Sequence, residues 1–317
     1  MPLAISLSPG RKERLEYVLN CTAEYHRNRL DSLGWELTMC NCLESAGSPC
    51  RQLLARKESY GKLLYGFLEE IAGFDEIEKI LEVGGGYGYL MRDFLGANPR
   101  VQAAMLDISP FLLDRQRDTL AGALKEGRVQ FFEQDFLQAD PGFLASFDLV
   151  IMNENLGDFP TLAGIKRKFF YSPWKDLDGN LAAARELFLK YNLDIPQRCP
   201  FNLNAGALQA VEILCSSGTA RIFLSEHSCE AGAHVRAPGA FPERIRLKGH
   251  DEYTVKFSFL ERIAACHGYS VRRGPMADYL EVDTAMEIRS AAGDDEAARH
   301  FLEDIYKYEY LFLSKEA

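Results

Sequence analysis

The sequence contains no apolar run that approaches the roughly eighteen residues of a membrane span. Its opening stretch, MPLAISLSPGRKER, carries its charges after a short apolar run rather than before it, which is the reverse of a secretory leader. These absences predict a soluble cytoplasmic protein with no membrane partner. An excess of basic residues is also missing: 36 Lys+Arg stand against 46 Asp+Glu, for a net charge of -10. Such a chain offers a phosphate backbone little attraction, so nucleic acid is disfavoured as a partner, although a local basic patch stays open. Regular cysteine spacing is lacking too, and eight cysteines scattered over 317 residues suit reduced thiols better than a disulfide framework. Cys40, Cys42 and Cys50 have no fourth ligand nearby and read as buried thiols, so no metal is predicted. There is no internal repeat, low-complexity segment or flexible linker. The length allows one large domain with additions, or two domains.

What is present is an alternation. Residues Ser8 to about Phe74 show helical spacing, clearest in SYGKLLYGFLEEIAGF, and predict an N-terminal helical region over 1–75. Short β-rich runs then alternate with helical ones: EKILEV, VQAAMLD, VQFFEQD, FDLVIMN and ARIFLSE. That order implies βαβ units and a parallel, doubly wound α/β sheet covered on both faces. Residues 76–317 are read as this core, with cap-forming insertions at about 159–204, 229–250 and 276–306. The first insertion holds a helix near LAAARELFLKY. The second ends at a helix in YTVKFSFLERIAACHG, followed by a strand at YSVRR. The third holds a helix near DDEAARHFLEDIYK, and a last strand, YEYLFLS, follows it.

The most informative stretch is Ile80-Leu-Glu-Val-Gly-Gly-Gly-Tyr-Gly-Tyr-Leu-Met, a strand that runs into a glycine turn and a helix. Glycine lets backbone approach a ligand without a Cβ in the way. Gly84, Gly86 and Gly88 form G-x-G-x-G, preceded by Glu82. Neither possible frame completes G-x-G-x-x-G, because Tyr89 or Met91 stands where the last glycine belongs, and a nicotinamide or flavin dinucleotide loses ground. A phosphate-loop motif is absent. Asp107 ends the second strand, where a carboxylate can accept from both hydroxyls of a ribose. Asp135, ending the third, can reach an adenine amino group. Ile108 and Phe136 follow these carboxylates, and Asn153 ends the fourth strand. In an open α/β sheet such strand ends converge on one crevice, and the ordered set looks like the S-adenosylmethionine (SAM) site of class I methyltransferases.

The strings EVGGGYGYLMRDFL, DISPFLLDRQ and NENLGDFP resemble three signatures of the SAM-dependent methyltransferase family that includes the mitochondrial complex I assembly-factor methyltransferase and its bacterial relatives. The match rests on Leu90, Met91 and Asp93 after the turn, on Asp107, Ser109, Pro110 and Gln116, and on Asn153, Glu154 and Pro160. The resemblance implies a Rossmann-like methyltransferase core, SAM as cofactor, and methyl transfer to an N or O nucleophile of a small molecule or protein side chain. By the same analogy the acceptor could be a protein arginine. At Ser225-Glu226-His227 the chain departs from the family's Asp-Tyr-Gly type ending. A non-catalytic SAM-binding assembly or interaction factor on the same fold stays open, and a second copy of the chain is a candidate partner.

Methyl transfer from a sulfonium is an in-line displacement, so the enzyme chiefly aligns the nucleophile and takes its proton. Glu154, Asp158 and His227 follow the fourth and fifth strands and are the expected acceptor-side residues. The competing roles are a helix cap for Glu154 and a plain hydrogen bond for His227. The second glutamate of an arginine clamp would fall at Ala163, which weighs against that clamp, although Asp158 could substitute. The aromatic run Phe169, Phe170, Tyr171 and Trp174 is read as the insertion's own small core before a pocket wall. Lys166-Arg167-Lys168 is read as solvated surface, and His250 and Tyr253 as caps or packing.

Overall fold

The computed structural model describes residues 16–28, 38–232, 240–283, 285 and 296–315. The described residues form twelve strands: β1 Val18–Asn20, β2 Lys79–Val83, β3 Gln102–Asp107, β4 Val129–Glu133, β5 Leu149–Asn153, β6 Thr161–Ile165, β7 Phe201–Leu203, β8 Arg221–His227, β9 Arg244–Arg246, β10 Asp251–Tyr253, β11 Ser270–Pro275 and β12 Tyr308–Ser314. Seven of them make the main sheet, in the order β11-β12-β8-β5-β2-β3-β4. The pairs β2/β3, β3/β4, β2/β5 and β5/β8 are parallel, whereas β12 lies antiparallel between β8 and β11. The fold is thus the expected α/β one, a doubly wound, Rossmann-like sheet. From β2 the chain proceeds outward through β3 and β4, then returns to β5 on the other side. This reversal opens a crevice above the carboxyl ends of β2 and β5.

Side-chain alternation along the strands explains why both faces are covered. Ile80 and Ile151 point into one apolar cluster, while Leu81, Val83, Val150 and Met152 point into the other, as a period of two requires. On the first face lie the helices Tyr60–Ala72, Tyr89–Ala97 and Glu296–Ile305. The stripe Leu90, Met91, Phe94 and Leu95 is at most 3% exposed, each side chain contributing about 1.5–3 kcal/mol by burial. On the opposite face pack Gly179–Tyr191, Ala205–Ser217 and Phe257–Cys266. The helix Tyr60–Ala72 stops at Gly73, whose φ of 66° supplies the left-handed cap.

One expectation needs correction, and another is filled out. The region before the core is not wholly helical, because β1 pairs antiparallel with β6 (Val18 with Ala163, Asn20 with Thr161). Val18 and Leu19 are exposed, so the strand buries no face of its own and leaves no periodic trace; its partner's backbone defines it. The insertion between β5 and β8 likewise contains two strands, β6 and β7, and with β1 they form a separate sheet. Its expected helix is present at Gly179–Tyr191, capped by Asp178, which accepts from the Leu181 N–H at 3.0 Å. A β9/β10 hairpin precedes the late helix. Of the other expected segments, residues 1–15, 29–37, 233–239, 284 and 286–295 lie outside the described residues. None of the eight cysteines is joined in a disulfide. No described helix is long and apolar enough to cross a membrane.

Candidate functional site

The crevice above β2 and β5 holds a cavity of about 1080 Å³, at the upper end of the roughly 300–1,000 Å³ usual for small-molecule sites. Its floor begins at the glycine turn. Gly84 has φ 65°, and a Cβ there would fall 2.8 Å from the Asn155 amide nitrogen, which donates to the Val83 carbonyl. Gly86, at φ 51°, would carry a Cβ with nothing within 4 Å, so its missing side chain leaves backbone open to the cavity. Gly88 does not line the cavity. It caps the helix Tyr89–Ala97 and packs on Gln116. Gln116 in turn donates to the Gly86 carbonyl at 3.1 Å and to Asp107 at 3.0 Å, tying the turn to the end of β3.

Glu82, Asp107, Ile108, Asp135 and Phe136 all line the cavity. Asp107 accepts from the Ser109 N–H at 2.9 Å as well as from Gln116. Burial still raises its pKa to about 6. Burial, and then the neighbouring Asp107 charge, push Glu82 up to about 8, and its Oε2 is buried without a hydrogen-bond partner. Two under-solvated carboxylates beside an open glycine backbone fit a ligand that brings hydroxyl and cationic donors, as SAM does with its ribose and its ammonium. Asp135 accepts from the Leu137 N–H at 3.0 Å and lies 3.8 Å from the Arg27 guanidinium.

At the other end stand Asn153, Glu154, Asp158 and His227, all lining the same space. The Asn153 side chain is engaged from behind: its Oδ1 accepts from the Tyr60 hydroxyl and, at 2.7 Å, from Ser225, and its amide donates to Glu154. Asn153 therefore orients Glu154 rather than presenting a free amide. Glu154 sits at φ 52°, a left-handed backbone that a non-glycine residue rarely adopts. Both its oxygens accept from the Met39 N–H, at 3.2 and 2.9 Å, at the start of the helix Met39–Cys42, so the helix-cap role coexists with a place on the cavity wall. Burial drives its pKa to about 7, with Met39 pulling down and Glu226 pushing up. Glu226 is also raised by burial, while the Gly157 N–H bonds its Oε2 at 3.0 Å. The His227 ring stacks on Tyr308 at 4.0 Å, with its Nε2 3.5 Å from Asp304.

Several residues that sequence reasoning passed over line this end. Thr22, His26, Thr38 and Asn41 come from the N-terminal region, and Asp304 and Tyr308 from the last helix and strand. Only a three-dimensional contact marks them, such as the Thr22 hydroxyl on the Asp158 carbonyl at 2.8 Å. The aromatic run stays away from the cavity: Phe169 and Phe170 pack with Phe188 and Phe201, whereas Tyr171 and Trp174 are exposed. Lys166 pairs with Glu16 at 2.7 Å on the surface. Tyr253 is buried in the β9/β10 hairpin, and His250, at its turn, stacks on Tyr25 and approaches Asp158. Cys42 and Cys50 are buried, and the Cys50 thiol and burial hold Cys42 protonated.

Comparison with known proteins gives one family match and a likeness of fold. Residues 81–170 match the model of a family described as a methyltransferase domain. No curated protein matches the chain. Among solved structures, an uncharacterized protein from Burkholderia thailandensis is similar with a TM-score of 0.52 and 16% identity, over 92% of this chain and 91% of that one. An O-methyltransferase family protein from the same organism matches with a TM-score of 0.43 and 13% identity; the match covers 80% of this chain but 55% of that one, so this chain spans about half its length. Magnesium protoporphyrin IX methyltransferase from Synechocystis, solved with bound SAM, matches at 0.41 and 13% identity over 81% and 80% of the two chains. Residues 81–170 are thus similar to a methyltransferase domain, and SAM is the cofactor that the residues about the glycine turn fit.

Proposed function

We propose that the protein transfers the methyl group of SAM to a nitrogen nucleophile, an amine or guanidinium of a small molecule or protein side chain, held against Glu154 and Glu226. One observation supports this above others. Glu226 is buried and Glu154 half-buried on the cavity wall, and among the described residues neither has a Lys or Arg ion-pair partner. A buried carboxylate without a cation is costly, and a cationic acceptor would supply one. Bound SAM would provide an electrophilic methyl group and depart as the neutral thioether. In this reading Asp107 holds the ribose hydroxyls, Glu82 meets the donor's polar end, and Asp135 and Phe136 flank the adenine. Asn153, fixed by Tyr60 and Ser225, keeps Glu154 aimed at the acceptor. With a pKa near 7, Glu154 can take the proton the nitrogen loses as its new C–N bond forms. Asp158 and His227 close the acceptor side. The family resemblance of the glycine turn and the Asn153-Glu154 segment is consistent with a protein arginine as acceptor.

A second reading has its own support: Glu154 already receives the Met39 N–H on both oxygens, as a purely structural carboxylate would. The protein would then hold SAM as an assembly or interaction factor. Incubation with methyl-labelled SAM and a panel of amines, guanidinium compounds and lysate proteins separates the two. Label appearing in an acceptor, and disappearing in Asp107→Ala, is the expected result. Saturable SAM binding with no transfer to any of them would favour the second reading. Thermal protection by NAD instead of SAM would refute both.

A further inference from the structure

At the rim of the cavity three chain segments meet on one carboxylate. His26, from the helix Ala23–Asn28, brings Nε2 to 2.9 Å from Asp158 Oδ1. His250, at the turn of the β9/β10 hairpin, brings its Nε2 to 3.6 Å from the same oxygen and to 3.2 Å from Glu252 Oε1. The donor atoms of His26, Asp158 and His250 lie within 4.8 Å of one another, the one such group among the described residues. For metal–ligand bonds of about 2.0–2.2 Å, the edge of a ligand tetrahedron is roughly 3.3–3.6 Å, and the separations of the two imidazoles from Asp158 Oδ1, 2.9 and 3.6 Å, span that length. The imidazoles are also held: Tyr25 stacks on His250 at 4.3 Å, and Gly249, at φ 102°, leaves the space that Tyr25 occupies. Thr22 and Asn20 bind the Asp158 and Asp251 carbonyls, each at 2.8 Å, which pins the N-terminal segment to the loop after β5 and to the hairpin.

We infer that His26, Asp158 and His250 form a binding site for a divalent metal ion of the zinc class. Two imidazole nitrogens and a carboxylate are the donor set that selects such borderline cations over magnesium or calcium, which prefer all-oxygen shells. Three protein ligands are also the number found where a metal keeps a further position for water or substrate. His26 and Asp158 line the cavity, so that position belongs to the acceptor side, with the Glu252 carboxylate adjoining. The ion would clasp the N-terminal helix, the loop after β5 and the hairpin together. It would also offset the negative charge of Asp158, leaving Glu154 and Glu226 to meet the acceptor. The inference concerns the metal alone and does not rest on methyl transfer.

The test is a titration of the chelator-stripped full chain with Co²⁺ followed by visible spectroscopy, and with Zn²⁺ followed by metal analysis after gel filtration. One ion per chain is expected, with Co²⁺ giving the intense d–d absorption of a low-coordinate N/O site. His26→Gln and His250→Gln should each weaken binding at least tenfold, and His267→Gln, on the far helix, should bind like wild type. Circular dichroism identifies any variant that fails to fold, and the wild-type Co²⁺ spectrum decides in that case. Absence of saturable one-to-one binding by wild type, or unchanged affinity in folded His26→Gln and His250→Gln, would overturn the assignment.

Discussion

Replacing Glu82 by glutamine should stabilise the ligand-free protein, and by an amount that depends on pH. The carboxyl is buried beneath the glycine turn with its pKa raised from 4.5 to about 8 by burial and by Asp107. Between those values the folded chain retains a proton that the unfolded chain releases. Stability therefore falls as pH rises through this window and reaches its lower plateau above pH 8. At about 1.4 kcal/mol per unit, the loss accumulated by pH 7 is about 3 kcal/mol. Glutamine keeps the shape and does not titrate. The other buried carboxylates titrate in both proteins, so they largely cancel in the comparison. Urea unfolding of wild type and Glu82→Gln at intervals from pH 4.5 to 8.5 measures the difference directly. The two should nearly coincide at pH 4.5 and diverge to about 3 kcal/mol in favour of glutamine at pH 7. A difference independent of pH, or a variant less stable than wild type at pH 8, would refute the reasoning. The same substitution should weaken SAM binding, a trade between stability and function usual at ligand sites.

Three further outcomes follow from the site. Gly84→Ala forces a Cβ to 2.8 Å from Asn155 at a φ of 65° and should cost about 1–3 kcal/mol in urea unfolding; an unchanged midpoint would mean that the turn relaxes freely. Asp107→Asn leaves an acceptor for the Ser109 N–H but weakens a charge-assisted bond to the donor, so calorimetry should record SAM affinity about 10- to 100-fold lower. Glu154→Gln should lower kcat about 10²- to 10⁴-fold while SAM affinity stays within threefold, and a loss of SAM binding instead would move Glu154 to the donor side.

The core was legible because a buried parallel strand announces itself as a short apolar run, as in ILEV and DLVIM. The carboxylates beside the glycine turn were legible for a related reason: Glu82 and Asp107 belong to such strands, and Asp135 stands two residues past the end of β4. Other features gave no linear signal. Strand β1 exists through its pairing with β6, and its three residues bury nothing that a pattern could reveal. Gly88 sits in the motif beside Gly86, yet only its left-handed φ and its contact with Gln116 show it serving the helix instead of the cavity. Nor does Asn153 disclose in sequence that Tyr60 lies behind it, because that bond crosses 93 residues.

The cavity walls have unequal genealogies along the chain. The cavity lining on the side of the glycine turn lies between Glu82 and Leu137, within the segment that matches the methyltransferase-domain family. The opposite wall is stitched from residues as remote as Thr22, Asn41, Glu226 and Tyr308. A transplant of the first wall into another protein would carry its chemistry intact, whereas the second cannot be cut out in one piece. Substitutions near either end of the chain can accordingly remodel the acceptor wall without touching the donor cradle. In the proposed reading, part of the choice of acceptor would thus be written near the extremities of the sequence, and the rest at Glu154 and Asp158 within the matched segment.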